Sequence, residues 1–197
     1  MSDADELNLW VAPGTLLAAG AELRDPNFMH GVVLMCQHTD EGAYGLVVNK
    51  PSELMTRQLL AEHPLFGAED ALNLPVFIGG PVGLDTLQVL HRAPEQVEGG
   101  VEIAYGVLLG GDLETIARFM VDEPDAARRT LRFTVGYSGW GAGQLEQELS
   151  TGSWLPAPGT ADVVFEADCD GQWRTVVRSI GIGAEGLADQ PPDPHWN

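Results

Sequence analysis

The feature that most constrains the fold is the glycine-rich segment from Phe133 to Trp154, FTVGYSGWGAGQLEQELSTGSW. Its first residues alternate between apolar and other side chains with a period of two, which predicts a strand with one buried face. Glycine adopts positive φ without steric cost and lets other groups approach the backbone closely. Four glycines follow within eight residues, at Gly136, Gly139, Gly141 and Gly143.

The glycines lead into a predicted helix at Gln144–Ser150, with Leu145 and Leu149 on one face and Gly152 as its stop. A strand, a glycine loop and a helix start can direct free N–H groups at an anion, so the 136–146 loop is a candidate site for an anionic ligand. The alternative is a glycine-rich turn in which Trp140 fills the core, because the glycine spacing matches neither the dinucleotide nor the phosphate-loop pattern. Ser138 lies in a near match to a nucleophile elbow, but the second glycine comes one position early, which makes it a weak nucleophile candidate.

The charge of the chain limits the function classes. It carries 10 basic and 29 acidic residues, a formal net charge of −19. Because DNA-binding proteins gain most of their affinity from Lys and Arg contacts to phosphates, we expect no direct nucleic-acid binding. An acidic N-terminus and the lack of a long apolar run predict a cytoplasmic protein without membrane contact. Two cysteines fit a reducing compartment, and the five histidines lack metal-ligand spacing, so we expect no metal and no cofactor.

The other elements are short. A run of apolar residues at 32–36, with no alternation between apolar and polar side chains, predicts a strand that is covered on both faces. A second buried strand is predicted at 46–48. A helix is predicted to begin after Asp112 and to end before Pro124. Further predictions are a helix at 52–60, a strand at 163–165 and a helix at 173–180. Strands outnumber helices and are joined by short loops, which predicts an α+β fold with a mixed, mainly antiparallel sheet.

The length of 197 residues predicts one domain, at 14–183. An acidic flexible tail is expected at 1–13, and a disordered tail with three prolines at 184–197.

Several short motifs, in this order, make the chain resemble the YqgE/AlgH family of bacterial proteins. They are Asp25-Pro26-Asn27-Phe28, Cys36-Gln37-His38, Gly45-Leu46-Val47-Val48-Asn49-Lys50-Pro51, Gly79-Gly80-Pro81-Val82, Leu90-His91, Gly136-Tyr137-Ser138-Gly139-Trp140 and Gly143-Gln144-Leu145-Glu146. The resemblance implies a split sheet curled into a pseudo-barrel with flanking short helices. It also implies a poorly characterised family in which some members are labelled transcriptional regulators, and it supplies no catalytic residues. The chain departs from the family at Gln37, where Glu is usual, and at Lys50, where Arg is common.

The polar, aromatic and glycine positions of these motifs are the ligand-binding candidates. They are Asn27, His38, Asn49, His91, Gly139, Trp140, Gly143, Gln144 and Glu146. One hypothesis is that several of them converge on a pocket beside the 136–146 loop. The alternative is that they hold turns and satisfy buried backbone groups.

Three functions follow from these observations. The first is a non-enzymatic protein, such as a transcriptional regulator, that acts through a protein partner, because no complete catalytic constellation is present. The second is a sensor or enzyme for an anionic metabolite that uses the 136–146 loop, with His38 or His91 as acid or base. Direct DNA binding is the third and the least favoured.

Overall fold

The structure, a computed structural model, describes residues 11–67 and 72–181. Residues 1–10 and the predicted tail at 184–197 therefore lie outside the described residues. Ten strands are present in the described parts. They are β1 Leu16–Ala19, β2 Val32–Thr39, β3 Gly42–Val47, β4 Pro51–Met55, β5 Pro75–Ile78, β6 Val82–His91, β7 Val101–Ala104, β8 Val107–Leu109, β9 Leu131–Gly141 and β10 Trp154–Ala157.

The strands form one branched sheet. Its main path runs β10-β1-β2-β3-β9-β6-β8-β7, and β4 and β5 branch from β9. Every pair is antiparallel except β5 with β9, which is parallel. The predicted mixed, mainly antiparallel sheet is thus confirmed. Within the described ranges the sheet is not closed into a barrel, because its path ends at β10 and β7, so the implied pseudo-barrel is an open one.

Strand β9 organises the sheet. One of its edges pairs with β6, and the other is shared by β5 over Phe133–Val135 and by β3 over Ser138–Gly141. Gly136 lies between these two stretches with φ of +70°. There the Gly79 N–H donates to the Val135 carbonyl at 2.9 Å, and Ser138 Oγ donates to the Gly79 carbonyl at 3.1 Å. At Gly136 the backbone of residues 79–80 therefore lies against β9 in place of a paired strand, and the sheet splits there.

Six helices flank the sheet in the described residues, and all are short, as predicted. They are α1 Thr56–Leu59, α2 Leu113–Asp122, α3 Pro124–Thr130, α4 Gln144–Ser150, α5 Ala161–Val164 and α6 Cys169–Ile180. None of them is long and apolar enough to span a membrane. The predicted helix after Asp112 is confirmed, and the Asp112 carboxylate caps it by accepting from Thr115 N at 2.9 Å.

The core has two layers around β1 to β3. Leu16 and Ala18 pack on one face of β1 with helix α6, and Leu17 and Ala19 pack on the other face with helix α4. Both faces of β2 are buried in the same way, which confirms the prediction from its unalternating sequence. A third apolar cluster joins β5, β6 and β9 to helices α2 and α3.

Two element predictions are wrong. Residues 52–55 form strand β4 rather than the start of a helix, because Ser52 Oγ donates to the Val76 carbonyl at 2.7 Å instead of capping. Residues 161–164 form helix α5 rather than a strand at 163–165, because Thr160 Oγ1 accepts from Val163 N at 3.3 Å as an N-cap.

Candidate functional site

The glycine loop is shorter than the sequence predicts, because β9 continues to Gly141 and only Ala142 and Gly143 separate it from helix α4. Gly143 precedes this helix with φ of +72°. The Gly141 N–H donates to Gln144 Oε1 at 3.1 Å, so a side chain of the helix closes the turn. Trp140 points into the core and is 7% exposed. Trp140 therefore fills the core, as the alternative interpretation of the glycine segment expects.

A carboxylate group, that of Glu148, holds the turn to the core. Glu148 Oε2 accepts from Trp140 Nε1 at 2.9 Å and from Trp154 Nε1 at 2.8 Å. Glu148 Oε1 accepts from Gln144 Nε2 at 2.9 Å. The two indole rings meet edge to face, with centroids 5.9 Å apart. We call Trp140, Gln144, Glu148 and Trp154 the indole–carboxylate cluster.

His38 bridges the N-terminal segment and helix α4. Its Nδ1 lies 2.7 Å from the Val11 carbonyl oxygen, and its Nε2 lies 2.7 Å from Glu146 Oε1. A carbonyl and a carboxylate are both acceptors, so both hydrogen bonds form together only when both ring nitrogens carry protons. His38 and Glu146 form an ion pair when His38 is protonated.

The contact with His38 also affects the pKa of Glu146. Burial raises this pKa. The hydrogen bond from the backbone amide of Glu146, and the hydrogen bond and charge of His38, lower it by more. The pKa of Glu146 therefore lies below its ordinary value. Because the folded-state pKa is depressed, Glu146 stabilises the fold above its ordinary pKa. That contribution is lost as the pH falls through the folded-state pKa.

The structure brings some of the predicted site residues together and separates others. His38, Trp140, Gly143, Gln144 and Glu146 surround the start of helix α4, and Gly139 lies beside them in β9, paired with Tyr44. Asn27, Asn49 and His91 lie in other parts of the fold. That the first group binds a ligand stays a prediction.

Asn49 and Asn27 each serve the backbone near the turn at 25–31. Asn49 Oδ1 accepts from Val32 N, and its Nδ2 donates to the His30 carbonyl, both at 2.8 Å. Asn27 donates from both its backbone N and its Nδ2 to Asp25 Oδ1 at 2.9 Å. Asn49 is buried and Asn27 is exposed.

His91 ends strand β6 and is fully buried. Its Nδ1 accepts from Ala93 N at 3.4 Å, and its Nε2 faces Gly100 and Gly111. A Cβ placed on Gly100 would lie 2.9 Å from Nε2, so the imidazole occupies the space that a side chain there would need. Burial lowers the pKa of His91, which keeps the ring neutral at pH 7.

We expect the free energy of unfolding to fall as the pH is lowered below about 6.5, the ordinary histidine pKa. Below this pH His91 binds a proton in the unfolded chain but stays neutral in the folded one. The free energy of unfolding therefore falls by up to about 1.4 kcal/mol per pH unit, until the pH reaches the folded-state pKa. Urea unfolding between pH 7.5 and 5.5 measures this slope. His91→Gln, which keeps an acceptor for Ala93 N–H, should reduce the slope; an unchanged slope would contradict the assignment to His91.

Sequence reasoning missed Glu148, Trp154 and Arg132. Glu148 lies one helical turn after Gln144, so the i, i+4 spacing on the predicted helix could have revealed it. Arg132 is 5% exposed, donates to the Val48 carbonyl and to the Glu166 carbonyl, and its guanidinium lies 4.2 Å from the Phe77 ring centroid. No spacing rule predicts a buried arginine, since its partners come from distant segments.

The side chains around the glycine loop hold it in place. Two carboxylates, Glu146 and Glu148, face the start of helix α4, so an anionic group would approach against their charge. Ser138 is 1% exposed, and its hydroxyl donates to the Gly79 carbonyl. Among residues 11–67 and 72–181, no group of three or more His, Cys, Asp or Glu side chains could hold a metal ion.

The fold and the site together define an α+β protein with a split, mainly antiparallel sheet, in which a tryptophan and carboxylate cluster fixes the loop after the central strand. A family model described as AlgH-like (DUF179) matches residues 16–185. The chain belongs to this AlgH-like family.

Relatives and solved structures agree with that assignment. A UPF0301 protein of Chlorobaculum tepidum is 37% identical over 185 residues, covering 94% of this chain and 95% of the relative. A UPF0301 protein of Paracoccus denitrificans is 36% identical over 176 residues, covering 86% and 90%. The solution structure of the AlgH protein from Pseudomonas aeruginosa matches with a TM-score of 0.66 and 27% identity, covering 91% of this chain and 94% of that one. A Corynebacterium diphtheriae protein shares the fold, with a TM-score of 0.71 and 21% identity over 92% of this chain and 93% of that one.

Proposed function

We propose that the chain acts without catalysis, by binding a protein partner with a basic surface along the edge of strand β7. The observation that carries this proposal is that the outer edge of β7 is unpaired among the described residues. Among the described residues β7 pairs only with β8, so its other side offers unpaired backbone N–H and C=O groups. Val101 on this strand is 73% exposed, and Tyr105, which follows the strand, is 69% exposed. An edge of this kind accepts an added strand.

Tyr105 makes the edge unusual. It forms the two-residue turn between β7 and β8 together with Gly106, with φ of +55° and +75°. Such turns favour Asn or Gly at both positions, since a bulky side chain at positive φ costs about 1–2 kcal/mol. Because the ring remains mostly exposed, little burial offsets this cost within the chain. Contact with a partner would supply that burial.

Charge supports a basic partner. The segment 93–117, which contains the β7–β8 hairpin, has five acidic residues and no Lys or Arg. They are Glu95, Glu98, Glu102, Asp112 and Glu114, and of these Glu114 already pairs with Arg118 just beyond the segment. Complementary charge speeds association and selects partners, and its effect weakens as salt is added. A role in transcription would run through such a partner, since the net charge of −19 opposes direct contact with DNA.

Affinity capture with two matched variants tests the proposal. Val101→Lys places a charge on the β7 edge, and Val121→Lys places the same charge on another exposed valine, in helix α2. We expect the wild type and Val121→Lys to retain the same basic protein, and Val101→Lys to lose it. With the partner purified, the edge substitution should weaken affinity about 10-fold or more, because edge lysines block strand addition. Equal affinity of the two variants, or no retained protein, would contradict the proposal.

A further inference from the structure

A cavity of about 230 Å³ lies between the edge of strand β6, the end of strand β8 and the start of helix α2. Its apolar walls come from Leu87, Val89, Leu109 and Leu113. Leu113 is 37% exposed and Leu87 is half-buried, so the cavity is open to solvent. Ligand pockets commonly measure about 300–1,000 Å³, so this smaller volume suits a small molecule.

The edge of strand β6 beside the cavity carries unpaired backbone groups. Strand β8 pairs with β6 only at Leu90 and His91, and Gly110 N also donates to the Val89 carbonyl at 2.8 Å. Backbone groups two residues apart in a strand point to the same side, so those of Leu87 also point away from β9, past the end of β8. In the described part of the chain no other strand lies on this side of β6. The cavity therefore offers one N–H donor and one C=O acceptor beside apolar walls.

The walls are held by contacts that leave the cavity empty. Asp112 N donates to the Glu98 carbonyl at 2.8 Å, which fixes the start of helix α2. Gln88, which also lines the cavity, is held through its Oε1 by the hydroxyl of Tyr44. Gly111 has φ of +116°, which glycine adopts readily, and it adds no side chain to the cavity. The cavity is therefore formed before any ligand binds.

The charges around the cavity disfavour a charged ligand. The acidic residues Asp112 and Glu114 flank Leu113, and no Lys or Arg lines the cavity among the described residues. An anion would be repelled by these carboxylates. A cation would lose its water against the leucine side chains, which costs free energy unless an opposite charge pairs with it.

The geometry points to this cavity as the binding site of a small uncharged molecule that joins an aliphatic group to an amide. The aliphatic group fills the space between Leu87, Leu109 and Leu113. The amide pairs with the backbone N–H and C=O of Leu87, as a residue of a neighbouring strand does. The site uses neither Val101 nor Tyr105, so it does not depend on the proposed binding of a partner at the β7 edge.

Titration of the full chain with N-acetyl-L-leucine methylamide, followed by backbone amide shifts, tests the site. We expect shifts at residues 87–89 and 109–111 and at Leu113, with a Kd of about 1 mM, which is typical of so small a ligand. N-acetylglycine methylamide lacks the aliphatic group, and N-acetyl-L-leucine ends in a carboxylate. Each should bind about 10-fold more weakly or worse, the first because it buries less apolar surface and the second because of its charge.

Leu113→Glu and Leu59→Glu are matched variants. The two leucines are 37% and 39% exposed, and each lies in a helix, but Leu59 does not line the cavity. Leu113→Glu should weaken binding of N-acetyl-L-leucine methylamide about 10-fold or more, because it places a carboxylate in the apolar wall. Leu59→Glu adds the same charge elsewhere and should change the affinity about twofold or less.

Absence of shifts at the cavity residues of the wild type in about 10 mM N-acetyl-L-leucine methylamide would overturn the proposal, whatever the variants do. Equal binding of the leucine and glycine methylamides, or equal affinity of the two variants, would also overturn it. If N-acetyl-L-leucine binds as tightly as its methylamide, the assignment to an uncharged ligand is wrong. The comparisons among the three compounds use the wild type alone, so they decide the question even if Leu113→Glu does not fold.

Discussion

Replacing Glu148 with alanine is expected to lower the free energy of unfolding by about 2–6 kcal/mol. The indole N–H groups of Trp140 and Trp154 both donate to this carboxylate, and these side chains are 7% and 2% exposed. Without Glu148 two buried donors lose their acceptor, and each such loss costs about 1–3 kcal/mol. Since each kcal/mol moves the melting temperature of a domain of this size by about 2–4 °C, a loss near 3 kcal/mol lowers it by about 6–12 °C.

Two further variants separate the hydrogen bonds from other effects of the Glu148 substitution. Glu148→Gln retains an oxygen that can accept from the indoles, so it should recover a large part of the lost stability. Gln147→Ala alters the adjacent, exposed position of helix α4 and should change stability by about 0.5 kcal/mol or less. The near-ultraviolet circular dichroism of the tryptophans should change in Glu148→Ala and not in Gln147→Ala. If Gln147→Ala costs as much as Glu148→Ala, the cluster does not carry the stability assigned to it.

The sequence predicted the parts of the fold that depend on local patterns. The helix at Gln144–Ser150 follows from the spacing of its apolar residues, and the strand at 32–36 follows from its unbroken apolar run. The structure contains both, and the strand continues to Thr39. The strand at 163–165 failed because three successive apolar residues fit a buried strand and a helical turn equally well. The predicted helix at 52–60 is wrong at its start because the Ser52 hydroxyl can cap a helix or bond across a sheet, and only the pairing of β4 with β5 decides between the two roles.

The site was harder to predict, for a different physical reason. The motif that contains Trp140 and Gln144 was visible in the sequence, but the acceptor that joins them, Glu148, belongs to no motif. Val11 and His38, which are in contact, lie 27 residues apart in the sequence, and Arg132 and Val48 lie 84 residues apart. Such contacts are set by how the sheet branches at β9, and no local pattern contains that information.

Substitution of Gly136 by alanine is expected to destabilise the sheet strongly. Gly136 has φ of +70°, and a Cβ there would lie 2.4 Å from the Gly80 carbonyl oxygen, a backbone atom that cannot move aside alone. The opposite approach is as close, because a Cβ on Gly80 would lie 2.2 Å from the Tyr137 carbonyl carbon. Alanine at positive φ costs about 1–2 kcal/mol before any clash, and overpacking adds about 1–3 kcal/mol, so we expect a loss of about 2–5 kcal/mol.

Gly143→Ala separates the two contributions to the Gly136 prediction. Gly143 has φ of +72°, close to that of Gly136, but nothing lies within 4 Å of a Cβ built on it. Substitution of Gly143 should therefore cost only the free energy of placing alanine at positive φ, about 1–2 kcal/mol. Chemical unfolding of both variants gives the difference, which measures the contact between the 79–80 backbone and β9. Equal losses would mean that the two backbones can separate without cost, and that the split at Gly136 is not a fixed feature of the sheet.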